Sequence, residues 1–270
     1  MKKKILKNPF FYVLAAAALA ACSTVPLTGR HQLNLISNST MLATSTQQYS
    51  EFLKANKVSA DQAHTEMVRR VGKRIQAAVE AYMAENKMSD RLAGYNWEFN
   101  LVESAEVNAW CMPGGKVVVY TGILPVTRDE NGLAVVLGHE IAHAIAEHGN
   151  ERMSQGMLTQ MGSTALSELI KDKPDQTKQL WNSAFGAGVQ VGALLPFSRL
   201  HESEADHLGL IFMAMAGYNP EQAVEFWQRM SAQGGKKPPE FMSTHPADAR
   251  RVEQIRKELP EALRYYKTEK

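Results

Sequence analysis

The chain has 270 residues, 44% of them hydrophobic and 21% charged, with a formal net charge of +2. That length supports one domain with a sizeable core, and so nearly balanced a charge argues against a nucleic-acid partner. The only cysteines, Cys22 and Cys111, leave no room for a disulfide framework.

The first seven residues carry Lys2, Lys3, Lys4 and Lys7, and Phe10 to Ala21 is an apolar run too short to span a bilayer comfortably. Leu19-Ala20-Ala21-Cys22 resembles a bacterial lipobox, which implies cleavage before Cys22 and a lipid on that cysteine; a conventional signal peptide is the alternative. A lipidated Cys22 leaves Cys111 without an intramolecular partner, and loss of the four leader lysines brings the formal charge to −2. The expected organisation is a signal peptide over 1–21, a lipidated tether over 22–44, one folded domain over 45–260 and a tail over 261–270. The expected location is a bacterial cell envelope, on the outer membrane facing the periplasm.

Helical spacing of Val68, Val71, Ile75, Ala78 and Val79 predicts helix between Ser45 and Met88. Trp97–Val102 alternates like a strand. A second strand, Val117–Tyr120, follows a turn at Pro113-Gly114-Gly115. A strand there could hold an extended polypeptide by main-chain hydrogen bonds, which makes Asn108, Gly114, Gly115, Val117 and Val119 candidate substrate-binding residues; an ordinary hairpin is the alternative.

His139-Glu140-Ile141-Ala142-His143 is an HExxH motif in a stretch that is apolar almost all round. Histidines four apart project from one helix face and can share a zinc ion. Glu140, beside the first of them, can act as general base toward an attacking water. Asp129 is the expected N-cap, Gly149 the expected stop and His148 a surface residue. Met153, Met157 and Met161 recur on one face of the following segment, which reads as a helical hairpin up to residue 197, or as a lid.

A third ligand is offered by Ser198-Arg199-Leu-His-Glu202-Ser-Glu204-Ala205-Asp206-His-Leu-Gly209. Glu202 and Asp206 lie four apart, so they share a face. Glu202 would bind the metal and Asp206 would support a ligand histidine. His201 and His207 are expected at the surface or in structural roles. Asn219–Gln222 reads as a helix start, 234–239 as a breaker and 246–259 as a final helix.

These motifs, with Asn108-Ala-x-x-x-Pro-Gly-Gly115 and Ser243-Thr-His245-Pro246 followed by Arg251, resemble the gluzincin peptidases of the HtpX, CAAX-prenyl-protease and BepA type. The resemblance runs from about residue 60 to 258. It places the chain with a periplasm-facing lipoprotein branch, sharing only a catalytic core with the mitochondrial OMA-type relatives. It implies a zincin-like α+β fold, mostly helical, with a small sheet beside the motif helix, and one zinc per subunit held by His139, His143 and Glu202. Glu140 is then catalytic, and Asp206 is either a proton donor or a support for a ligand. His245 is either a donor to the developing oxyanion or a turn residue, and Arg251 is a structural anchor. The expected activity is endopeptidase cleavage of misfolded or unassembled envelope proteins, with a latent or non-hydrolytic zinc-binding assembly factor as the alternative. The partners expected are polypeptide substrates and, through the lipid, a membrane; no nucleic acid is expected.

Overall fold

The computed structural model describes residues 22–172, 175–179, 182–183, 195–233, 239–246 and 249–266. The proposed signal peptide over 1–21, the side chain of Cys22, the breaker at 234–238 and much of 173–194 lie outside the described residues. Contacts divide the chain into two units, one made of 1–37 and 147–196, the other of 38–146 and 197–270.

The larger unit is built on two long helices and a small sheet. Helix α1 (Asn38–Ala55) begins before the expected Ser45, and α2 (Gln62–Glu85) follows a break at 56–61. Asp61 caps α2 by accepting from His64 N–H at 3.0 Å. Val68, Val71, Ile75 and Val79 make the buried stripe that the spacing predicts, with Gly72 among them. A Cβ at Gly72 would stand 2.2 Å from the Phe99 ring, so the absent side chain is what lets sheet and helix close up.

The sheet has β3 (Glu98–Val102), β4 (Ala109–Met112) and β5 (Lys116–Tyr120) in the order β3-β5-β4. β5 pairs parallel with β3 and antiparallel with β4. Pro113-Gly114-Gly115 makes the β4–β5 turn with φ of +85° and +77° at its glycines, a region that favours glycine. Burial of Val117, Val118 and Val119 follows from their place in the middle strand. That overturns one expectation: Val117 and Val119 have paired strands on both sides and offer no main-chain edge to a substrate. Gly114 and Gly115 are turn formers packed against Leu42 and Trp97, and Asn108 caps its own strand, its side chain accepting from Ala109 N–H at 2.9 Å.

A short helix α3 (Leu124–Thr127) leads to α4 (Glu130–Ile145), whose residues 132–145 are all buried. Asp129 is its N-cap as expected, accepting from Gly132 N–H at 3.0 Å. Helices α6 (Leu195–Met215), α7 (Gln222–Ala232), α8 (Glu240–Thr244) and α9 (Ala249–Ala262) complete this unit. The mostly helical α+β architecture with a small sheet beside the motif helix is therefore the one expected.

The smaller unit pairs β1 (Cys22–Thr24) antiparallel with β2 (His31–Leu33) and carries α5 (His148–Leu169). Arg30 forks onto Glu151 at 2.7 and 2.9 Å, and Leu35 N–H donates to Ser154 Oγ at 2.8 Å. The motif helix does not stop at Gly149, which lies inside α5. The break is at Glu147, which takes φ of +58°, and His148 is buried rather than exposed. Among the described residues no helix is long and apolar enough to cross a membrane.

Candidate metal centre

Two helices and one loop bring the donors together. α4 carries His139, Glu140 and His143; α6 carries Glu202 and Asp206; the residue after α8 is His245. One ligand atom from each of His139, His143, Glu202 and His245 lies within 4.8 Å of the others, and all four residues are buried. The helices approach this closely because Gly138 and Gly209 face each other. A Cβ on Gly138 would stand 2.8 Å from the Gly209 carbonyl oxygen.

The separations suit a metal. His139 Nε2 and His143 Nε2 are 3.1 Å apart, and Glu202 lies 3.4 Å from each of them. Donors around a tetrahedral zinc at 2.0–2.1 Å are about 3.3 Å from one another. Two imidazole nitrogens facing each other across a carboxylate in a buried site need a cation between them, a proton or a metal. The residues therefore fit the zinc that the motif implies. His245, expected as an oxyanion donor or a turn residue, stands among the ligand atoms: its Nδ1 is 3.2 Å from His139 Nε2 and 3.0 Å from Glu202, while its Nε2 is 3.3 Å from Glu140.

The supporting contacts are charged. Asp206 lies 3.0 Å from His139 Nδ1, on the side of the ring away from the donors. Arg251 donates to Asp206 from Nε at 2.7 Å and from Nη2 at 2.8 Å. It also reaches Glu202 at 3.1 Å and donates to the Pro246 carbonyl at 3.2 Å. Its guanidinium lies 3.5 Å from the Trp227 ring centroid. Burial alone would raise the carboxyl pKa of Asp206, but the Arg251 charge and His139 outweigh it and hold it below its usual value. Burial likewise opposes ionisation of Glu202, and hydrogen bonds from His139, His143 and His245 bring its pKa well down. For His139, burial and Arg251 favour the neutral ring, yet Asp206 and Glu202 prevail and raise its pKa to about 9 with no metal bound.

Sequence reasoning treated Arg251 as an anchor and missed that it touches two acidic site residues. It also missed Trp227 and Phe241, whose rings wall His139 with centroids at 5.7 and 6.4 Å. The run Phe226-Trp227 gives an amphipathic helix but no hint of that contact. His201 proves buried, and His207 pairs with Glu261 at 3.1 Å. Burial, with a smaller effect of the nearby Glu140 charge, pushes the Cys111 thiol well up, which suits a packed residue and not a nucleophile.

A model of peptidase family M48 matches residues 70–259. The chain belongs to peptidase family M48. Membership of a metallopeptidase family agrees with the donor set of His139, His143, Glu202 and His245. The fission yeast mitochondrial metalloendopeptidase OMA1 is 37% identical over 190 residues, 70% of this chain and 53% of the relative. Human mitochondrial metalloendopeptidase OMA1 is 31% identical over 282 residues, 98% of this chain and 52% of the relative. The beta-barrel assembly-enhancing protease of Yersinia pestis is 31% identical over 166 residues, 59% of this chain and 35% of the relative. The chain spans about half the length of the mitochondrial relatives. These matches bear out the expected peptidase family and do not single out a lipoprotein branch within it. The expected bacterial outer membrane is also overturned, because the relatives matched at 30–37% identity from yeasts, a plant and vertebrates carry mitochondrial names.

Proposed function

We propose that this chain is a zinc-dependent endopeptidase that cleaves extended, unfolded or unassembled polypeptides, with Glu140 as general base. The observation that carries the reading is the buried convergence of His139, His143 and Glu202 with Glu140 on the next residue of the same helix. Zinc held there would supply Lewis acidity and bring the pKa of a water toward about 7. Glu140 takes the proton of the attacking water and returns it to the leaving amine. Asp206 and Arg251 hold His139 in one orientation throughout. The strand packed on α4 is β4, at the margin of the sheet. An extended polypeptide would add there by main-chain hydrogen bonds, with its scissile carbonyl near Glu140.

A second reading concerns the resting state. His245 Nδ1 sits among the donors, and its Nε2 faces Glu140. In this arrangement His245 takes the place an attacking water needs, so the structure supports a latent form that opens when the residue 245 loop withdraws.

Casein digests analysed by mass spectrometry test both readings. Glu140→Gln should abolish cleavage, by about a thousandfold or more, with zinc still bound; wild-type cleavage by this variant would refute the hydrolytic reading. His245→Ala should raise the rate several-fold if the ring blocks the site. A fall of about a hundredfold would instead make His245 an oxyanion donor.

A further inference from the structure

A second cleft lies apart from the metal centre. Along α2, Glu66, Arg69, Arg70, Lys73 and Arg74 follow one another at three- and four-residue spacing and form a single face of the helix. They line a cleft of about 820 Å³ together with Trp97, Glu98, Phe99 and Asn100. Four cations thus meet two carboxylates, and one of these, Glu98, is already engaged by Lys116 at 2.6 Å. Arg74 is fixed, donating to the Ala216 carbonyl at 2.9 Å with its guanidinium 4.6 Å from the Tyr218 ring centroid. Arg70 is held by Glu130. Among the described residues Arg69 has only an exposed pairing with Glu66, and Lys73 is exposed.

The cleft also borders an incomplete strand edge. Asn96 and Glu98 donate their N–H groups to Gly114 and Gly115, at 3.0 and 2.9 Å. By the alternation of a β ladder, the main-chain groups of Trp97, Phe99 and Leu101 point to the opposite edge. Leu101 follows the rule there, its carbonyl accepting from Ser59 N–H at 2.8 Å, beside the antiparallel bridge between Val58 and Val102. Residues 57–59 therefore fill one end of the slot alongside β3. The chain then turns at Asp61 into α2 and leaves the slot. Among the described residues, nothing pairs with the outward main-chain groups of Trp97 and Phe99.

We propose that this cleft docks an extended acidic segment of a protein partner. The segment continues the strand begun by residues 57–59, hydrogen-bonds to Trp97 and Phe99, and sets its carboxylates against Arg69, Arg70, Lys73 and Arg74. Main-chain pairing supplies a sequence-tolerant grip, and the cations select acidic over basic strands. None of these residues belongs to the metal centre, so docking is separable from hydrolysis.

The test uses the full chain carrying Glu140→Gln and a short fluorescein-labelled peptide of alternating valine and glutamate, followed by fluorescence anisotropy. Binding should weaken as salt rises, and should fall about tenfold or more with Arg69→Glu/Lys73→Glu. Backbone N-methylation of the peptide, which removes strand pairing, should cost a similar factor. Equal affinity for a peptide with lysine in place of glutamate, or for the N-methylated peptide, would overturn the proposal. So would undiminished binding to Arg69→Glu/Lys73→Glu. In the chain with Glu140 intact, the double substitution should leave zinc content and casein cleavage unchanged; a loss of zinc would mean that the cleft is not independent and would count against the assignment.

Discussion

Arg251 answers two buried carboxylates at once, Asp206 through a fork and Glu202 through a single contact. A lysine carries the same charge but has no planar fork, so it cannot reproduce this contact with Asp206. Arg251→Lys should keep the fold and weaken zinc binding about tenfold, within the usual 10–100-fold effect of groups that orient a ligand. Arg251→Ala removes the arginine's share of the countercharge to the buried Asp206 and Glu202, leaving His139 to face both, and should cost about 3 kcal/mol of stability. A chelator-competition titration and urea unfolding separate the two effects. Wild-type zinc affinity in Arg251→Lys would reduce Arg251 to packing on Trp227. The same geometry bears on Asp206: it faces the nitrogen of His139 turned away from the other donors, as a residue that orients a ligand must.

At the scale of elements, the crossing of α4 and α6 decides whether the ligands meet. A Cβ on Gly209 would stand 2.9 Å from the main chain at Gly138 and His139, so no side-chain rotation relieves it. Gly209→Ala should push the helices apart, cost about 1–3 kcal/mol and lower zinc affinity, since Glu202 and Asp206 ride on α6. Thermal unfolding and zinc titration check this, and an unaltered zinc affinity would show that the crossing does not set the site. Much of this level was legible beforehand. Asp129 announces the start of α4, the stripe on α2 announces its buried face, and the spacing of 139, 143 and 202 announces the donors. The end of α4 was not legible, because the left-handed residue is Glu147, hydrogen-bonded by Asn34, and a contact so distant in sequence has no local signal. The rank of β5 was misread for a related reason. Alternation reports a strand, whereas the neighbours on its two edges are fixed by the whole sheet; the unbroken Val117-Val118-Val119 was the available hint of an inner strand.

At the scale of the molecule, a metal would tie α4 to α6 while His245 and Arg251 arrive from the C-terminal helices. Binding to the folded chain alone stabilises it by mass action, about 2.7 kcal/mol at a hundredfold excess over Kd. At 2–4 °C per kcal/mol for a domain of this size, removing zinc should lower Tm by about 5–11 °C. The pH dependence should differ between the two forms. With no metal bound, Asp206 and Glu202 hold a proton on His139 with a pKa of about 9, against an ordinary value of 6.5. A raised histidine pKa contributes stability that is fully present below the unfolded value and is lost as pH rises through the folded one. Metal-free protein should therefore lose about 3 kcal/mol between pH 6.5 and 9. Both carboxylates are already ionised across that window, since their pKa values are lowered. Zinc requires the neutral ring and displaces the proton, so affinity for the metal should rise over the same window. Melting curves of chelator-treated and zinc-loaded protein from pH 6 to 9 should diverge, with the gap between them widening as pH increases. A constant gap would mean that His139 does not hold its proton against Asp206 and Glu202 in the way the structure requires.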